Sequence, residues 1–272
     1  MKLSVLFALL SASLCPGQNT PPVEIELMTY PEIDSAIHQQ GKTTVIVYNG
    51  GTEQRGPHAV LGGHTIMARA TATEIARKLG NALVAPVLPF SPAGDHLNPK
   101  WPGTAGISAD LYSAVNESIV DSMVVNGFRN IVLIGGHGGG QKELEALAGR
   151  MDAKYGPKGA HVYYCGAAYF KVRADFDAWL TANHLPLSTH AGIPDTSELM
   201  YLGGDKYIRK DKIVAGDPVL PPGQRRDPNT PRVNNGVIGD PRPSTPAIGK
   251  RLFDMRVAYA VEDIQRMIAA RR

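Results

Sequence analysis

The sequence lacks the features that would indicate a nucleic-acid partner or a disulfide framework. Its formal net charge is only +3, and it has no long Lys/Arg-rich run that could follow a phosphate backbone. It has two cysteines, Cys15 and Cys165, and loss of an N-terminal segment beyond Cys15 would leave too few for an intramolecular disulfide. Cys165 falls in a short apolar run, which is more typical of a buried core thiol than of a nucleophile.

Long apolar runs are also scarce, and the one of interest stands at the N-terminus. A basic start is followed by the apolar core Leu3–Leu10 and the small residues Ser11–Ser13, the order found in secretory signal peptides. The run is too short to span a bilayer. We therefore expect residues 1–19 to be a cleaved export signal and the protein to be periplasmic or secreted. The alternatives are a buried N-terminal strand or helix and, less favoured because Leu14 precedes Cys15, a lipoprotein site.

The rest of the chain alternates between strand-like and helix-like segments. Short β-branched runs predict buried strands, and longer segments with apolar residues at helical spacing predict helices. The predicted strands are Thr43–Tyr48, Ala82–Pro89, Asn130–Ile134 and His161–Tyr169, and the predicted helices are Thr65–Leu79, Leu111–Val125, Gln141–Tyr155 and Ala247–Ala270. This order predicts one α/β domain over residues 20–272, with a mostly parallel β-sheet flanked by helices on both faces. Gly216–Pro246, rich in proline and glycine, predicts a long surface segment or one that packs on a neighbouring subunit.

Histidines are concentrated in Gly- and Pro-rich loops near the predicted strand ends. Five of the eight lie in four such loops: His58, His64, His96, His137 and His190. Open parallel sheets bind ligands beyond the carboxyl ends of their strands. Imidazoles together with a carboxylate are a common catalytic zinc set. The pattern therefore predicts a divalent-metal site.

The Gly-rich turn Gly135–Gly140 has to be distinguished from a phosphate-binding loop. Such a loop would end in Gly-Lys-Ser/Thr, or follow Gly-x-Gly-x-x-Gly with an acidic residue after the next strand, and this turn does neither. A serine hydrolase would need Gly-x-Ser-x-Gly at a strand–helix turn, which is missing as well. His137 in the middle of the turn favours metal or acid–base chemistry over nucleotide binding.

Three motifs, in order and spacing, resemble the creatininase (creatinine amidohydrolase) family. They are Gly50–His58 continued to His64, Gly135–Gly140, and His190–Ser197, and Pro102–Thr104 matches as well. The resemblance covers most of the chain from about Glu24. It implies a creatininase-like α/β fold, metal-dependent hydrolysis of an amide C–N bond other than a peptide bond, and a homo-oligomer, often a hexamer.

The resemblance also implies a ligand set. The reference enzyme of the family has two metals, and Glu53, His64 and His137 stand at the positions that hold the first, with His64 in place of an aspartate. At the second metal's positions, Arg55 cannot ligate, Gly139 has no side chain and His64 is a poor bridge. We therefore expect one divalent metal, Zn²⁺ or alternatively Mn²⁺. Arg55 would repel a second cation and take over part of its electrostatic role, binding substrate charge.

The remaining motif residues complete a hydrolytic hypothesis. His190 resembles the family's catalytic histidine and is expected to move protons, while Asp195, where the family has a glutamate, would orient groups or ligate. The substrate is expected to be a cyclic or small amide other than creatinine, because the export signal and the altered positions both favour a different one. A lactone or formamide hydrolase and a non-catalytic binding protein are the alternatives. Further substrate-contact candidates are His58, Asp95, His96 and Trp101.

Overall fold

A four-stranded parallel β-sheet forms the centre of the computed structural model, which describes residues 21–94, 96–220 and 223–271. In chain order the strands are β1 (Thr44–Asn49), β2 (Ala82–Val84), β3 (Asn130–Gly135) and β4 (His161–Tyr164). Across the sheet they run β2-β1-β3-β4, and the pairings are parallel. The central strands β1 and β3 are buried along almost their whole length, as expected for apolar runs in a sheet covered on both faces. The predicted parallel sheet is confirmed.

Seven α-helices flank the sheet within the described residues. They are α1 (Tyr30–His38), α2 (Gly63–Leu79), α3 (Ala109–Val125), α4 (Gln141–Tyr155), α5 (Phe170–Ala182), α6 (Ile193–Gly203) and α7 (Pro246–Ala269). Helix α2 connects β1 to β2, whereas α3 and α4 make crossovers in the opposite direction across the sheet. Because such crossovers are right-handed, α2 lies on one face and α3 and α4 on the other. Helix α7 packs against α2, and α3 packs against α4, so both faces are covered as predicted.

Two predicted strands are shorter in the structure than in the prediction. Strand β2 ends at Val84 instead of Pro89, because the prolines after it lack the N–H that a longer ladder requires, and it stands at the sheet edge. Strand β4 ends at Tyr164, and a short 3₁₀ turn, Gly166–Ala168, takes the place of its predicted second half. Cys165 lies directly after β4 and is buried, and this burial raises the pKa of its thiol. It is the core residue that the sequence predicts.

The Pro-rich segment Gly216–Pro246 packs back onto its own chain. Thr189 N–H donates to Ile238 O at 2.9 Å, and Ile238 N–H donates to His190 O at 2.9 Å. The segment therefore supports the loop that carries His190.

Two expectations fall outside the described residues. One concerns residues 1–19, the expected export signal, so export stays a prediction. Asp95, one of the substrate-contact candidates, is the other. Within the described residues, none of the helices combines the length and apolar character needed to cross a bilayer.

Candidate metal centre

Glu53, His64 and His137 meet where β1 and β3 end. The two strands are neighbours, but the chain leaves β1 toward β2 and leaves β3 toward β4, so this is the switch point at which open α/β sheets bind ligands. Gly136 N–H donates to Asn49 O at 2.8 Å and joins the two strand ends. Glu53 follows β1, His64 lies in the first turn of α2, and His137 follows β3. The fold therefore brings the three predicted ligands together.

The two imidazoles converge on one carboxylate. His64 Nε2 lies 3.2 Å from Glu53 Oε1, and His137 Nε2 lies 2.9 Å from Glu53 Oε2. One candidate ligand atom from each residue lies within 4.8 Å of the other two. Two imidazoles and one carboxylate are a donor set that suits a divalent ion such as Zn²⁺. The residues present therefore fit one metal.

The protonation of these groups also suits a cation. Burial opposes ionisation of Glu53, but hydrogen bonds from His137 and His64 outweigh it and hold the pKa of the carboxyl well below its usual range. Burial, with a further contribution from Arg55, lowers the pKa of His64 to about 4. The site therefore holds an ionised carboxylate beside a neutral imidazole, the forms that bind metals.

His137 shows how metal binding is coupled to proton movement. Gly139 N–H donates to His137 Nδ1 at 2.9 Å, which leaves the proton of the neutral ring on Nε2, facing Glu53. A cation that binds at Nε2 requires this proton to move to Nδ1, so metal uptake would change the tautomer of the ring and replace its hydrogen bond from Gly139 N–H.

His190 presents an unprotonated nitrogen to the cluster. Its Nε2 lies 2.7 Å from the backbone oxygen of Gln54, which can only accept, so Nε2 carries the proton. The side-chain nitrogen of Gln54 also lies 2.9 Å from Nε2, but two donors cannot bond to each other, and the carbonyl contact defines the tautomer. Nδ1 is then free to accept a proton and lies 3.5 Å from Glu53 Oε1. This arrangement suits a proton carrier.

Arg55 lies behind the cluster with no solvent-exposed surface. Its Nη2 is 2.5 Å from Asp195 Oδ2, and its Nη1 is 3.5 Å from Glu53 Oε1. Ala191 N–H also donates to Asp195 Oδ2 at 2.8 Å, and Asp195 stands in the first turn of α6. Burial opposes ionisation of Asp195, but the positive charge of Arg55 outweighs it and lowers the pKa of this carboxyl. The geometry does not support the expected direct contact of Arg55 with substrate, since the guanidinium contacts two carboxylates and does not line the cleft.

Gly139 leaves no room for the side chain that a second metal would use. A Cβ built at this position would lie 2.0 Å from the backbone oxygen of Pro92. A larger residue here would therefore require the backbone to move. This agrees with the single-metal expectation from the sequence.

The cluster opens into a cleft of about 290 Å³. Its floor is formed by the strand-end residues, and its wall by α5, the His190 loop and α7. The described residues that line it and that carry charge or can bind a metal are Glu53, His64, His137, Arg173, Asp177, His190, Asp195 and Arg256. The volume is at the lower end of the roughly 300–1,000 Å³ typical of ligand pockets, so the cleft suits a small ligand or the end of a longer one.

Three predicted substrate contacts lie elsewhere. His58 is buried, with Nε2 2.8 Å from Thr196 Oγ1, and packs behind the cluster. His96 Nδ1 contacts the carbonyl oxygen of Ala93, and Trp101 lies under the ammonium of Lys100 at 4.6 Å. His58, His96 and Trp101 do not line this cleft, so the prediction that they contact a substrate bound there is not supported.

Arg173, Asp177 and Arg256 were missed by sequence reasoning because they lie outside the motifs. A signal existed for Arg256. It stands four residues after Leu252 and four before Ala260, on the buried face of α7, where a charged residue is unusual. No comparable signal marked the two α5 residues.

The comparison with known proteins agrees with this geometry. The creatinine amidohydrolase family model matches residues 26–264, and the chain belongs to the creatininase family. Curated relatives are mycofactocin precursor peptide peptidases. The one from Mycolicibacterium smegmatis is 28% identical over 233 residues, covering 82% of this chain and 84% of that protein. The one from Mycobacterium tuberculosis is 27% identical over 254 residues, covering 88% and 90%.

Solved structures of the family have the same fold. A creatinine amidohydrolase (creatininase) matches with a TM-score of 0.72 at 17% identity, covering 91% of this chain and 98% of that one. A structure described as "Creatininase Mn" matches with a TM-score of 0.72 at 20% identity, covering 91% and 99%. At these identities the likeness establishes the fold alone. The named relatives are hydrolases, some acting on a peptide precursor and others named for creatinine.

Proposed function

We propose that the protein is an exported metal-dependent hydrolase that cleaves an amide C–N bond. The observation that carries this proposal is the convergence of His64 and His137 on the two oxygens of Glu53, with the free Nδ1 of His190 beside them. A binding protein that had kept only the fold would need neither the ligand set nor a proton carrier next to it.

The roles of the residues follow from their positions. A divalent ion held by Glu53, His64 and His137, Zn²⁺ in our proposal, would supply Lewis acidity to the amide carbonyl and to water. His190 accepts the proton of the attacking water at Nδ1 and returns it to the leaving nitrogen as the C–N bond breaks. Its Nε2–H, bonded to the backbone of Gln54, keeps the ring oriented during both transfers.

Arg55 and Asp195 position these groups. The guanidinium is a permanent cation held against the carboxylates of Asp195 and Glu53. It thereby fixes the orientation of Glu53 from behind, and it supplies positive charge without a second ion. Asp195 lines the cleft with its charge already balanced.

The small cleft supports a small amide, or the end of a peptide, as the substrate. The peptide end is favoured by the named relatives, which are peptidases. Lactones and formamides would use the same residues, and a substrate panel separates these classes. A homo-oligomer remains an expectation, because one chain is described.

Metal analysis tests the proposal. We expect about one divalent ion per chain by inductively coupled plasma mass spectrometry, and loss of most of it in Glu53→Gln and His137→Ala. His161→Gln is the matched control, since His161 pairs with Asp152 away from the cleft. Unchanged metal content in both site variants would overturn the ligand assignment, and two ions per chain would overturn the single-metal site. Failure of the metal-loaded protein to hydrolyse any member of an amide panel would overturn the amidohydrolase proposal.

A further inference from the structure

Arg256 brings to the cleft a positive charge that the proposed chemistry does not use. It extends from the buried face of α7 and lines the cleft together with Glu53 and His137. Its side chain keeps 12% of its surface exposed, although most of its neighbours on that face of the helix are apolar.

The guanidinium is only partly occupied by protein groups. Its Nη2 donates to Glu198 Oε2 at 2.8 Å, while Nε is buried without a partner. The Tyr48 hydroxyl also lies beside the guanidinium, but among the described residues no acceptor stands within ordinary hydrogen-bond distance of Nη1, and unlike Nε it is not enclosed. Nη1 is therefore the nitrogen available to a ligand in the cleft.

A purely structural role explains this ion pair poorly. Glu198 has no exposed surface, and its Oε1 is also buried without a partner. Buried ion pairs cost desolvation that only complete hydrogen bonding offsets, and apolar residues of similar size often stabilise a fold as well or better. The arrangement is instead suited to holding a guanidinium at the cleft wall with its charge balanced from behind.

The charges around the cleft favour an anionic ligand. Asp195 is paired with Arg55, and Asp177 lies 3.9 Å from Arg173. Glu53 faces two imidazoles and the proposed cation. With a divalent ion present, the cleft carries excess positive charge.

The anion that fits best is a carboxylate. A guanidinium N–H and a carboxylate oxygen form a strong charge-assisted hydrogen bond. A phosphate would place further charged oxygens close to Asp177 and Asp195, in a cleft of only about 290 Å³. One free guanidinium nitrogen matches the smaller, singly charged group.

We infer that Arg256 binds a carboxylate of the substrate. The substrate class is then an amide whose nitrogen belongs to an amino acid with a free carboxylate. N-acylated amino acids have this chemistry, whether as free small molecules or as the C-terminal residue of a peptide. This inference rests on the proposed function, because it places the scissile amide beside Glu53 and His190 in the same cleft.

Matched ligand pairs test the inference. N-acetyl amino acids with small, apolar and aromatic side chains are each compared with the corresponding carboxamide, and short N-acetylated peptides with C-terminal acid are compared with C-terminal amide. We expect the metal-loaded protein to prefer the acid about 10- to 100-fold, the range of one charge-assisted hydrogen bond, in kcat/KM or in calorimetric binding affinity. Hydrolysis or binding of the N-acetyl amino acids identifies a small-molecule substrate. Hydrolysis or binding of the peptides alone identifies a peptide C-terminus as the substrate.

A double substitution separates binding from folding. Arg256→Met together with Glu198→Gln removes both charges of the pair, so that neither is left buried alone. We expect the variant to keep its metal and to lose the preference for acids. Arg173→Gln, at the exposed rim of the same cleft, is the matched control and should keep the preference.

The two proposals fail in different ways. Equal hydrolysis or equal binding of acid and amide by the wild-type protein overturns the inference and leaves the proposed function intact. An acid preference unchanged in the double variant also overturns it. Binding of acids without any hydrolysis in the panel supports the role of Arg256 and contradicts the proposed function instead.

Discussion

Arg55 Nη2 lies 2.5 Å from Asp195 Oδ2 and belongs to a side chain that solvent does not reach. The guanidinium stands where the family resemblance puts a second-metal ligand, so this chain carries a covalently attached cation there. Unlike a bound ion, this charge does not depend on metal concentration. The pair should therefore matter to the fold as well as to the site.

We expect Arg55→Met to destabilise the protein by about 3–5 kcal/mol, because it leaves two carboxylates without their buried partner. Asp195→Asn alone should also be destabilising. The double variant should be more stable than the sum of the two changes predicts, since the charge on Asp195 no longer needs compensation. Urea unfolding of the four proteins gives the coupling energy, and additive effects would contradict a direct interaction.

Gly139→Ala should destabilise the protein by about 1–3 kcal/mol, because its Cβ would overlap the backbone oxygen of Pro92. Gly149→Ala is the control. Gly149 lies inside α4 with open space around it, and alanine there should stabilise by about 1 kcal/mol. Thermal unfolding should move in opposite directions for the two variants. Shifts of the same sign would mean that the close approach at Gly139 is not a constraint.

His190→Gln should lower kcat by about 10²- to 10⁴-fold with little change in metal content, because this side chain carries protons and lies outside the ligand set. Glutamine can still donate to the Gln54 carbonyl, so the loop should keep its conformation. Paired activity and metal measurements check this. Parallel loss of metal and activity would make His190 a ligand instead of a proton carrier.

His58 should make stability dependent on pH. Burial lowers its pKa from 6.5 to about 4, so the unfolded chain binds a proton in this window that the folded protein does not. Stability should be constant above pH 6.5 and fall as the pH drops toward 4, by at most about 1.4 kcal/mol per pH unit for one histidine.

His64 is shifted in the same direction, to about 4, so both histidines contribute in the metal-free protein. His58→Gln should therefore remove about half of the pH dependence of the unfolding free energy between pH 6.5 and 5. Urea unfolding of metal-free wild type and variant provides the measurement. Identical slopes would mean that His58 is protonated in the folded protein.

Much of the sheet and of the metal cluster could be predicted from the sequence for the same reason. Buried parallel strands are short β-branched runs, and polar residues directly after them must meet at one edge. Glu53 and His137 follow the two central strands, and His64 begins the helix after the first. The predicted helix end at Leu79 is confirmed, and Gly80 directly after it has a left-handed φ of 75°.

The wall of the cleft could not be predicted in this way. Apart from the His190 loop, which belongs to the third motif, its residues come from α5 and α7, which are distant in sequence and contribute no motif. In α5 the apolar residues Val172, Phe176 and Leu180 recur at helical spacing, so the helix itself could have been predicted from the sequence. Helices α1 and α6 were also missed, α6 because its first turn coincides with the third motif. Which side chains face the cleft depends on packing that local patterns do not encode.

The order of these contributions along the chain has an evolutionary consequence. The metal ligands all precede residue 138, whereas the residues that α5, the His190 loop and α7 contribute to the cleft wall all follow β4. A single recombination near the Gly166–Ala168 turn would exchange the surface that selects the substrate between relatives and leave the metal ligands untouched. A shared metal-ligand set can in this way be inherited separately from the proton carrier His190 and from the residues that select the substrate.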